Sequence, residues 1–482
     1  MGGGSKKQKG RGMPNIAIIP AVRNKNARAL ASAVGILEAE QAEKLLDVSI
    51  LLTVSPDDPV AVKLAEDVIA LLSRTINQVA ISGVASPTLE VVIGDAEPCN
   101  VNVDAIRVTV STTHATIGVA LTNQGPLAKV APILRRMVAC YVCAAAMKRV
   151  VPQLKFPLID PLTLPFDNFG VDLTALNEHI PLGKAYLAGA GAIGNAILWA
   201  MQELNVSGEL HVVDFDHVED GNLQRQIWFD ESDLGKMKCE CLAGKAQLHF
   251  PYLRLIPRKG ELQRLPEKTN GAWLSKLIVA VDSRRARRRI QEDVLPGEVF
   301  DASTTDITEV VVHHHRQPTE YACLSCIYAE DTVEQEFEAH IANQLGIPTE
   351  KVRESVIDLE AAKAIILKYP RDITSTDSIV GLAYDTMFKS LCGTGKLSHE
   401  QEKTTVTPFA FVSALAGVLL VLELVRRHTP GKHDRSFNYW KVSPWHSPFA
   451  RNRKLRTSDP SCALCGNPMA KAVLIGLWGR PQ

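Results

Sequence analysis

A glycine-rich turn between an apolar strand and a helix constrains this chain more than any other feature. The pattern predicts a strand over Lys184–Ala188, then the turn Gly189-Ala-Gly191-Ala-Ile-Gly194, then a helix over Asn195–Leu204. Glycines at this spacing let the backbone turn tightly and approach a phosphate, while the helix N-terminus supplies free N–H groups and the positive end of its dipole. In this strand–turn–helix context the motif predicts a Rossmann-like nucleotide site in an α/β domain.

An acidic residue stands where such a site needs one. The next strand, predicted over Leu210–Val213, ends in Asp214, which follows Gly194 by 20 residues. A carboxylate at this place can accept hydrogen bonds from ribose hydroxyls. The fingerprint to this point fits NAD as well as ATP, and the residues that follow separate the two.

The segment that begins at Asp214 resembles a longer signature. Asp214-Phe-Asp-His-Val-Glu-Asp-Gly-Asn-Leu-Gln-Arg-Gln226 is similar to the D-x-D-x-V-x-x-x-N-L-x-R-Q pattern of the ThiF/MoeB and ubiquitin-activating enzyme family. Gly235-Lys-Met-Lys238 resembles the G-x-x-K of that family, and the strand predicted over Leu277–Val281 ends in Asp282, where the family has a magnesium-binding aspartate. The resemblance covers roughly residues 183–330 and 405–466.

This resemblance implies that ATP and Mg²⁺ are used to adenylate the C-terminal carboxylate of a ubiquitin-like protein. The residues that it implies for the nucleotide are Gly189, Gly191, Gly194, Asp214, Asp216, Asn222, Arg225, Gln226, Lys238 and Asp282. The chemistry agrees, because the carboxylate and the triphosphate are both anionic and cations must surround them. Arg225 suits phosphate oxygens, and Asp282 offers the oxygen ligand that Mg²⁺ prefers; both are predicted to act in catalysis.

Two C-x-x-C pairs predict a metal site. Cys323 with Cys326 and Cys462 with Cys465 can together supply four thiolates to a tetrahedral, structural Zn²⁺. Free thiols are the alternative. Because no secretory signal is visible, metal or catalytic roles for cysteine gain weight over disulfides, and the cytoplasm is the expected compartment.

A further cysteine, Cys392, is predicted to be a nucleophile. It lies in a glycine-rich segment within the charged, helical region 332–404, where family members that form a thioester carry their catalytic cysteine. Attack on the acyl-adenylate would release AMP and hold the substrate as a thioester. An ordinary loop cysteine is the alternative, and with it a sulfur-carrier or peptide adenylyltransferase that stops at the acyl-adenylate.

The fold class predicted is α/β, with a Rossmann-like adenylation domain on a mixed sheet and a helical cysteine-domain insertion. The expected division is a disordered tail over 1–13, an α/β half over 14–180, adenylation segments over 181–331 and 405–482, and the insertion over 332–404. Residues 14–180 lack G-x-G-x-x-G, which predicts a degenerate adenylation-like half, although an unrelated partner-recognition domain stays open. This half also lacks the Tyr-x-Arg-Gln segment that delivers an arginine to ATP, and Arg23 or Arg28 could substitute.

The composition limits the kinds of partner that the chain is expected to have. The 482 residues have a formal net charge of zero, which removes the simplest argument for nucleic acid binding. The apolar stretch Phe409–Val425 is interpreted as a buried core helix and not a membrane span. Expected partners are a ubiquitin-like substrate, a ubiquitin-conjugating-type enzyme and a second copy of the chain. The compact length suggests a bacterial conjugation system of the kind found in phage-defence operons.

Two local patterns receive structural interpretations. The arginine cluster within 284–289 is interpreted as a solvated helix face, with a surface for an acidic partner or phosphate as the alternative. His313–His315 is expected to be a strand that alternates between core and solvent.

Overall fold

The fold is taken from a computed structural model that describes residues 16–35, 38–100, 102–265, 274–330, 332–353, 356–371, 373–382, 384, 387, 388, 391 and 407–479. The predicted tail 1–13 and Cys392 lie outside the described residues. The α-helices are α1 (Pro20–Val34), α2 (Ala39–Leu45), α3 (Pro59–Leu72), α4 (Pro132–Val150), α5 (Ala192–Met201), α6 (Lys238–Gln247), α7 (Arg284–Val294), α8 (Leu324–Ile327), α9 (Thr332–Leu345), α10 (Thr349–Arg353), α11 (Leu359–Lys368), α12 (Ala410–His428) and α13 (Pro468–Trp478).

The strands form two sheets. They are β1 (Ser49–Val54), β2 (Gln78–Ala80), β3 (Leu89–Ile93), β4 (Ala105–Val110), β5 (His114–Gly118), β6 (Leu162–Pro165), β7 (Ile180–Ala188), β8 (Val206–Asp214), β9 (Leu253–Lys259), β10 (Lys276–Val279), β11 (Glu298–Thr305), β12 (Glu309–Arg316), β13 (Tyr439–Val442) and β14 (Arg453–Lys454). The first sheet has the order β2-β1-β3-β4-β5-β6 and the second β14-β13-β12-β11-β10-β7-β8-β9. In both sheets the strands that come first in the chain pair in parallel and the last ones pair antiparallel, which confirms the α/β class with mixed sheets.

The two halves repeat one topology. In the first half the chain runs β1, α3, β2 and then returns to the other side of β1 with β3 and β4, before β5 and β6 turn antiparallel. The second half follows the same path with β7, α5, β8, β10, β11, β12 and β13, and adds α6, β9 and α7. A long apolar helix joins the last two strands of the repeat in both halves, α4 in the first and α12 in the second. This repeat supports the interpretation of residues 14–180 as an adenylation-like half.

These two long helices build the core between the sheets. Every residue from Ala410 to Arg426 of α12 is buried. This helix packs on α4 and α5, and α4 packs on α3. Cys140 and Cys143 of α4 are both fully buried. Among the described residues, no helix combines the length and the apolar character that crossing a bilayer requires, and the prediction of a core helix at 409–425 is confirmed.

The helical insertion has a core of its own. Helices α9, α10 and α11 and the residues after them bury a separate apolar cluster. Its central members include Ile341, Leu345, Val352, Ile365 and Tyr384. Because these side chains pack on one another rather than on the sheets, the insertion is a small unit attached to the second half.

The arginine cluster at the start of α7 does not form the solvated face that was predicted. Arg287 pairs with the buried Asp301, while Arg288 binds Glu334 through two hydrogen bonds of 2.7 and 2.9 Å. Arg285 lies 3.0 Å from Glu338, which is itself almost fully buried. The ion pairs of Arg285 and Arg288 therefore hold α9 of the insertion against α7. Local sequence could not indicate this, since the carboxylates come from other elements of the chain.

The three histidines of β12 also differ from expectation. They lie in a strand, as predicted, but His313, His314 and His315 are all buried. Burial lowers the pKa of His313 to about 4 and holds those of the other two well below their ordinary value. Alternation with solvent is absent because this strand lies inside the second sheet, between β11 and β13, with both of its faces covered.

A glycine in α12 sets the approach of the core helices. A Cβ added at Gly417 would lie 2.6 Å from Ala196 Cβ and 2.7 Å from Ala196 O of α5. Gly417→Ala should therefore lower the free energy of unfolding by about 1–3 kcal/mol through overpacking. The measurement is urea unfolding of the full chain.

The matched control is Gly476 of the exposed helix α13, where an added Cβ meets nothing within 4 Å. Gly476→Ala should stabilise the chain by about 0.5–1 kcal/mol, because it removes backbone freedom without a clash. Equal stability of the Gly417→Ala variant and the parent would contradict this account of helix packing.

Candidate functional site

The glycine turn after β7 is shaped by close backbone contacts. Gly189 has φ of 103°, and a Cβ there would lie 2.8 Å from Ala280 O in the loop after β10. A Cβ at Gly194 would collide with the carbonyl oxygen of Gly189. At Gly191, by contrast, an added Cβ meets nothing within 4 Å. Two glycines are therefore required by packing, while the middle one borders open space at the mouth of the turn.

The N-terminus of α5 is left free at this mouth. Its N-cap is Gly191, and no side chain of the described residues caps it. Unpaired N–H groups and the positive end of the helix dipole make such a terminus an anion site.

The equivalent helix of the first half is closed. The N-cap of α3 is Asp58, whose Oδ1 accepts hydrogen bonds of 3.0 Å from the backbone N–H groups of Val60 and Ala61. Its Oδ2 accepts a third, of 2.8 Å, from Leu127 N. Because a carboxylate of the chain occupies the place that an anion would take, this half cannot bind phosphate at α3 in the same way.

Asp214 ties the glycine turn to the next strand. Its Oδ2 accepts a hydrogen bond of 2.6 Å from Ala190 N, and its Oδ1 accepts one of 2.8 Å from Asp216 N. Burial raises the pKa of Asp214, and Lys238 opposes the rise. Lys238 in turn donates to Asp216 Oδ2 over 2.8 Å. The predicted residues Asp214, Asp216 and Lys238 are thus brought together beside the turn.

The segment after Asp216 makes a compact turn that includes two further predicted residues. Asn222 Oδ1 accepts a hydrogen bond of 3.2 Å from Glu219 N, so this side chain holds the turn itself. Gln226 is buried, and its Oε1 has no hydrogen-bond partner among the described residues. A buried acceptor without a donor is costly unless a ligand supplies one.

Arg225 contributes a cation that forms no ion pair with a described residue. Its Nη1 donates to Gln224 Oε1 over 3.2 Å. Burial lowers the pKa of Arg225, and the charge of Asp282 works against that shift. Asp282 lies exposed in the loop between β10 and α7, two residues beyond the Ala280 carbonyl that touches Gly189. The arginine is therefore close enough to the aspartate for their charges to interact.

Sequence reasoning missed a second cation, Lys25 of α1. It forms no ion pair with any residue in the described part of the chain, and it lies against Gly221, where an added Cβ would be 2.6 Å from its Nζ. Burial and, next, the charge of Arg225 lower its pKa to about 8, while Glu219 and Asp220 oppose this shift. No local motif could have identified Lys25, because its neighbours lie almost 200 positions away.

The two arginines suggested from sequence as a replacement for the missing Tyr-x-Arg-Gln segment lie on the same helix as Lys25. Arg23 Nε lies 2.7 Å from Glu43 Oε1, and its Nη1 donates to Asn77 Oδ1 over 3.2 Å. Arg28 is exposed on the same helix. Of the three cations of this helix, Lys25 is the one whose pKa the charge of Arg225 lowers.

Asn195 is another residue whose role was not foreseen. It is fully buried at the start of α5, and its Nδ2 donates over 2.9 Å to the carbonyl oxygens of Ala190 and Gly191. Its Oδ1 accepts a hydrogen bond of 3.1 Å from Trp228 N. Asn195 therefore connects the glycine turn to the segment that contains Arg225. A buried asparagine in a helix that is otherwise apolar was the available signal.

The two C-x-x-C pairs meet in a single cluster. Sγ of Cys323 lies 3.8 Å from Cys326 Sγ, 3.8 Å from Cys462 Sγ and 3.4 Å from Cys465 Sγ, while the sulfurs of Cys326 and Cys465 are 3.2 Å apart. Four thiolates around Zn²⁺ with bonds of about 2.3 Å would stand roughly 3.8 Å apart, so the cluster fits a tetrahedral ion after small adjustments. The backbone N–H of Asp459 also points at Cys326 Sγ, 3.4 Å away, as expected beside a thiolate.

Comparison with known proteins agrees with this architecture. Residues 164–464 match the ThiF family, and residues 19–172 match the E1 N-terminal domain. The uncharacterized protein y4jF of Sinorhizobium fredii is 30% identical over 282 residues, covering 54% of this chain and 51% of that protein. The ubiquitin-like modifier-activating enzyme 7 of Homo sapiens is 30% identical over 200 residues, covering 36% of this chain and 20% of the enzyme. The chain thus spans about half of the first relative and a fifth of the second.

A solved structure of E. coli MccB with MccA is also similar. It covers 75% of this chain and 98% of that chain at 12% identity, with a TM-score of 0.36. A score this low supports no conclusion beyond the likeness itself.

The cysteine cluster leads to a metal prediction. The purified chain should contain about one zinc per molecule, because four converging sulfurs leave no open coordination position. Cys465→Ser should abolish stoichiometric zinc, as measured by mass spectrometry of the metal, and lower the midpoint of thermal unfolding.

The control is Cys143→Ser, since Cys143 is a buried cysteine remote from the cluster. It should lose stability but keep its zinc. Wild-type protein that is free of metal after expression with zinc, and whose unfolding midpoint does not respond to zinc or to chelator, would contradict the site.

Proposed function

The chain belongs to the ThiF family, and from this premise we propose that it uses ATP to adenylate the C-terminal carboxylate of a polypeptide, with a ubiquitin-like protein as the substrate. The observation that supports this best is electrostatic. Lys25 and Arg225 form no ion pair with a described residue, and the charge of Arg225 lowers the pKa of Lys25. The segment that carries Arg225 is joined to the start of α5 by the hydrogen bond from Trp228 N to Asn195 Oδ1, and no described side chain caps that helix. A group of positive charges that repel one another is stabilised when a polyanion binds.

ATP suits the site better than NAD for a chemical reason. A dinucleotide presents a pyrophosphate, which the helix N-terminus and glycine turn alone can bind. The additional cations Lys25, Arg225 and Lys238 suit the larger charge of a triphosphate. Gly189, Gly191 and Gly194 would admit the phosphates, and Asp214 would accept hydrogen bonds from the ribose. Asn222 would keep the turn in place, and the buried Oε1 of Gln226 would accept a hydrogen bond from the ligand.

The proposed reaction transfers AMP to the substrate. A carboxylate oxygen of the polypeptide C-terminus attacks the α-phosphorus of ATP, and the bond from that phosphorus to the oxygen bridging the α- and β-phosphates breaks. The electron pair leaves with pyrophosphate, and the product is an acyl-adenylate. Arg225 and Lys25 would stabilise the charge that moves onto the leaving group. Asp282 would hold Mg²⁺, which supplies further charge neutralisation when bound.

The choice of a ubiquitin-like substrate rests on three features. The first half matches the E1 N-terminal domain, the two halves repeat one topology, and a helical unit interrupts the second half between β12 and α12. In this proposal Cys392 attacks the acyl carbon as a thiolate, AMP leaves, and the thioester passes to a conjugating-type enzyme. Location in the cytoplasm and a role in phage defence stay predictions from the sequence.

The proposal is tested by ATP–pyrophosphate exchange with small β-grasp proteins that end in glycine. Arg225→Ala and Asp282→Ala should each lower the exchange rate by about 10²–10³-fold, the usual effect of removing a charge-stabilising group. Arg254→Ala, at an exposed arginine of β9, is the matched control and should leave exchange unchanged. Preferential binding of NAD over ATP·Mg would overturn the proposal.

In the same assay, the variant Cys392→Ala distinguishes an enzyme that goes on to form a thioester from one that stops at the acyl-adenylate. Exchange should persist in this variant, whereas a thioester that can be reduced by thiols should disappear. Wild-type protein that exchanges pyrophosphate but never forms a thioester would favour an adenylyltransferase that stops at the acyl-adenylate.

The lowered pKa of Lys25 predicts that ATP binding is accompanied by proton uptake. With a pKa of about 8 in the free protein, Lys25 is partly deprotonated at pH 8, and a bound triphosphate should raise that pKa towards its ordinary value. ATP binding at pH 8 should therefore take up a fraction of a proton, and ATP affinity should fall as the pH rises above 8. Calorimetry in buffers of different ionisation enthalpy measures the uptake.

The variant Lys25→Met should lose this proton uptake and bind ATP·Mg about tenfold more weakly. Lys44→Met, at an exposed lysine of α2, is the control. Proton uptake that persists without Lys25 would show that another group is responsible.

A further inference from the structure

Arg74, just after α3 in the first half, reaches into the nucleotide-binding segment of the second half. It is 5% exposed. Its guanidinium donates hydrogen bonds to the carbonyl oxygens of Leu223, of Ile227 at 2.8 Å and of Phe229 at 3.1 Å. These three carbonyls lie on either side of Arg225 in the sequence. One side chain of the first half therefore holds both ends of the stretch that presents Arg225.

A second contact connects the same partners. Asn26 Nδ2 donates to Arg74 O over 2.7 Å, and Asn26 Oδ1 accepts from Gln224 Nε2 over 2.9 Å. Gln224 Oε1 then accepts from Arg225 Nη1 over 3.2 Å. A continuous path of hydrogen bonds thus runs from Arg74 through Asn26 and Gln224 to Arg225. Since Asn26 follows Lys25 in α1, the same path also fixes the helix that presents Lys25.

Burying the charge of Arg74 is energetically unfavourable, which indicates that this residue does more than fill space in the core. Burial lowers the pKa of Arg74 to about 10, and the charge of Asp230 offsets this only in part. Arg74 forms no ion pair with a described residue, so a full positive charge is buried against backbone carbonyls alone. Buried charges without a counter-ion are unfavourable.

We propose that Arg74 is a positioning residue of the nucleotide site, through which the first half sets the orientation of Arg225 towards the phosphates. The proposal rests on the proposed function only in taking ATP·Mg as the ligand. Through Arg74 the first half would support the nucleotide site of the second half, although its own helix terminus at α3 is closed by Asp58.

The experiment compares Arg74→Met with a matched variant, Arg107→Met. Arg107 is also a buried arginine of the first half, and its guanidinium donates to two carbonyl oxygens, of Gly94 at 2.9 Å and Ala96 at 2.8 Å, within that half. Both variants should lower the thermal midpoint of the free chain. Arg74→Met alone should also weaken ATP·Mg binding, by at least about tenfold, because small displacements of a phosphate-binding group have large effects.

Two further variants separate positioning from general destabilisation. Arg74→Lys keeps the charge and part of the hydrogen bonding, so it should recover part of the ATP affinity, and it replaces Arg74→Met if that protein does not fold. In the Arg225→Ala background, Arg74→Met should cause little additional loss of ATP affinity, because residues that act through one another are not additive.

ATP·Mg affinity within twofold of wild type in Arg74→Met, equal losses in both methionine variants, or additive losses with Arg225→Ala would each overturn the inference. These outcomes are distinct from failure of the proposed function. Wild-type protein that binds ATP·Mg but exchanges no pyrophosphate would overturn adenylation and leave the role of Arg74 standing. Wild-type protein that does not bind ATP·Mg would overturn both.

Discussion

The free N-terminus of α5 is the feature on which the rest of the structure depends. A helix end with unpaired N–H groups is stable only if water or a ligand satisfies them, and here the neighbouring groups keep it accessible. Asp214 and Asn195 bind the backbone of the glycine turn without covering its mouth, and Gly189 lets the loop after β10 approach closely. The cations near this region then favour the binding of an anion at the end of the helix.

The two halves of the chain share one topology but differ at the N-terminus of the helix that follows their first strand. Where the second half has a free helix end, the first half places the carboxylate of Asp58. Several buried arginines of the first half bind groups of the second half instead. Arg135 and Arg136 of α4 bind Glu203 and Gln202 at the end of α5, while Arg74 binds the segment of Arg225. Both ends of the nucleotide-binding region are therefore supported from outside it.

Buried ion pairs also connect the site to the insertion. Helix α7 begins one residue after Ser283, its N-cap, and thus directly beyond Asp282, while its arginines bind Glu334 and Glu338 of α9. The cysteine cluster lies against the same helix, since Ser325 within the first C-x-x-C pair donates to Glu292 of α7. Helix α7 is therefore in contact with the candidate magnesium ligand, the insertion and the cysteine cluster.

The amino-acid sequence alone determined the α/β class, the glycine turn with Asp214, the core helix at 409–425 and the two cysteine pairs, because each is a local pattern whose spacing matches a turn, a strand or a helix period. It could not reveal Lys25, Arg74 or the closing role of Asp58, nor that the arginines of α7 are buried. Those depend on partners from distant segments, and only the packing of the two halves decides which charges meet and which are left without a counter-ion.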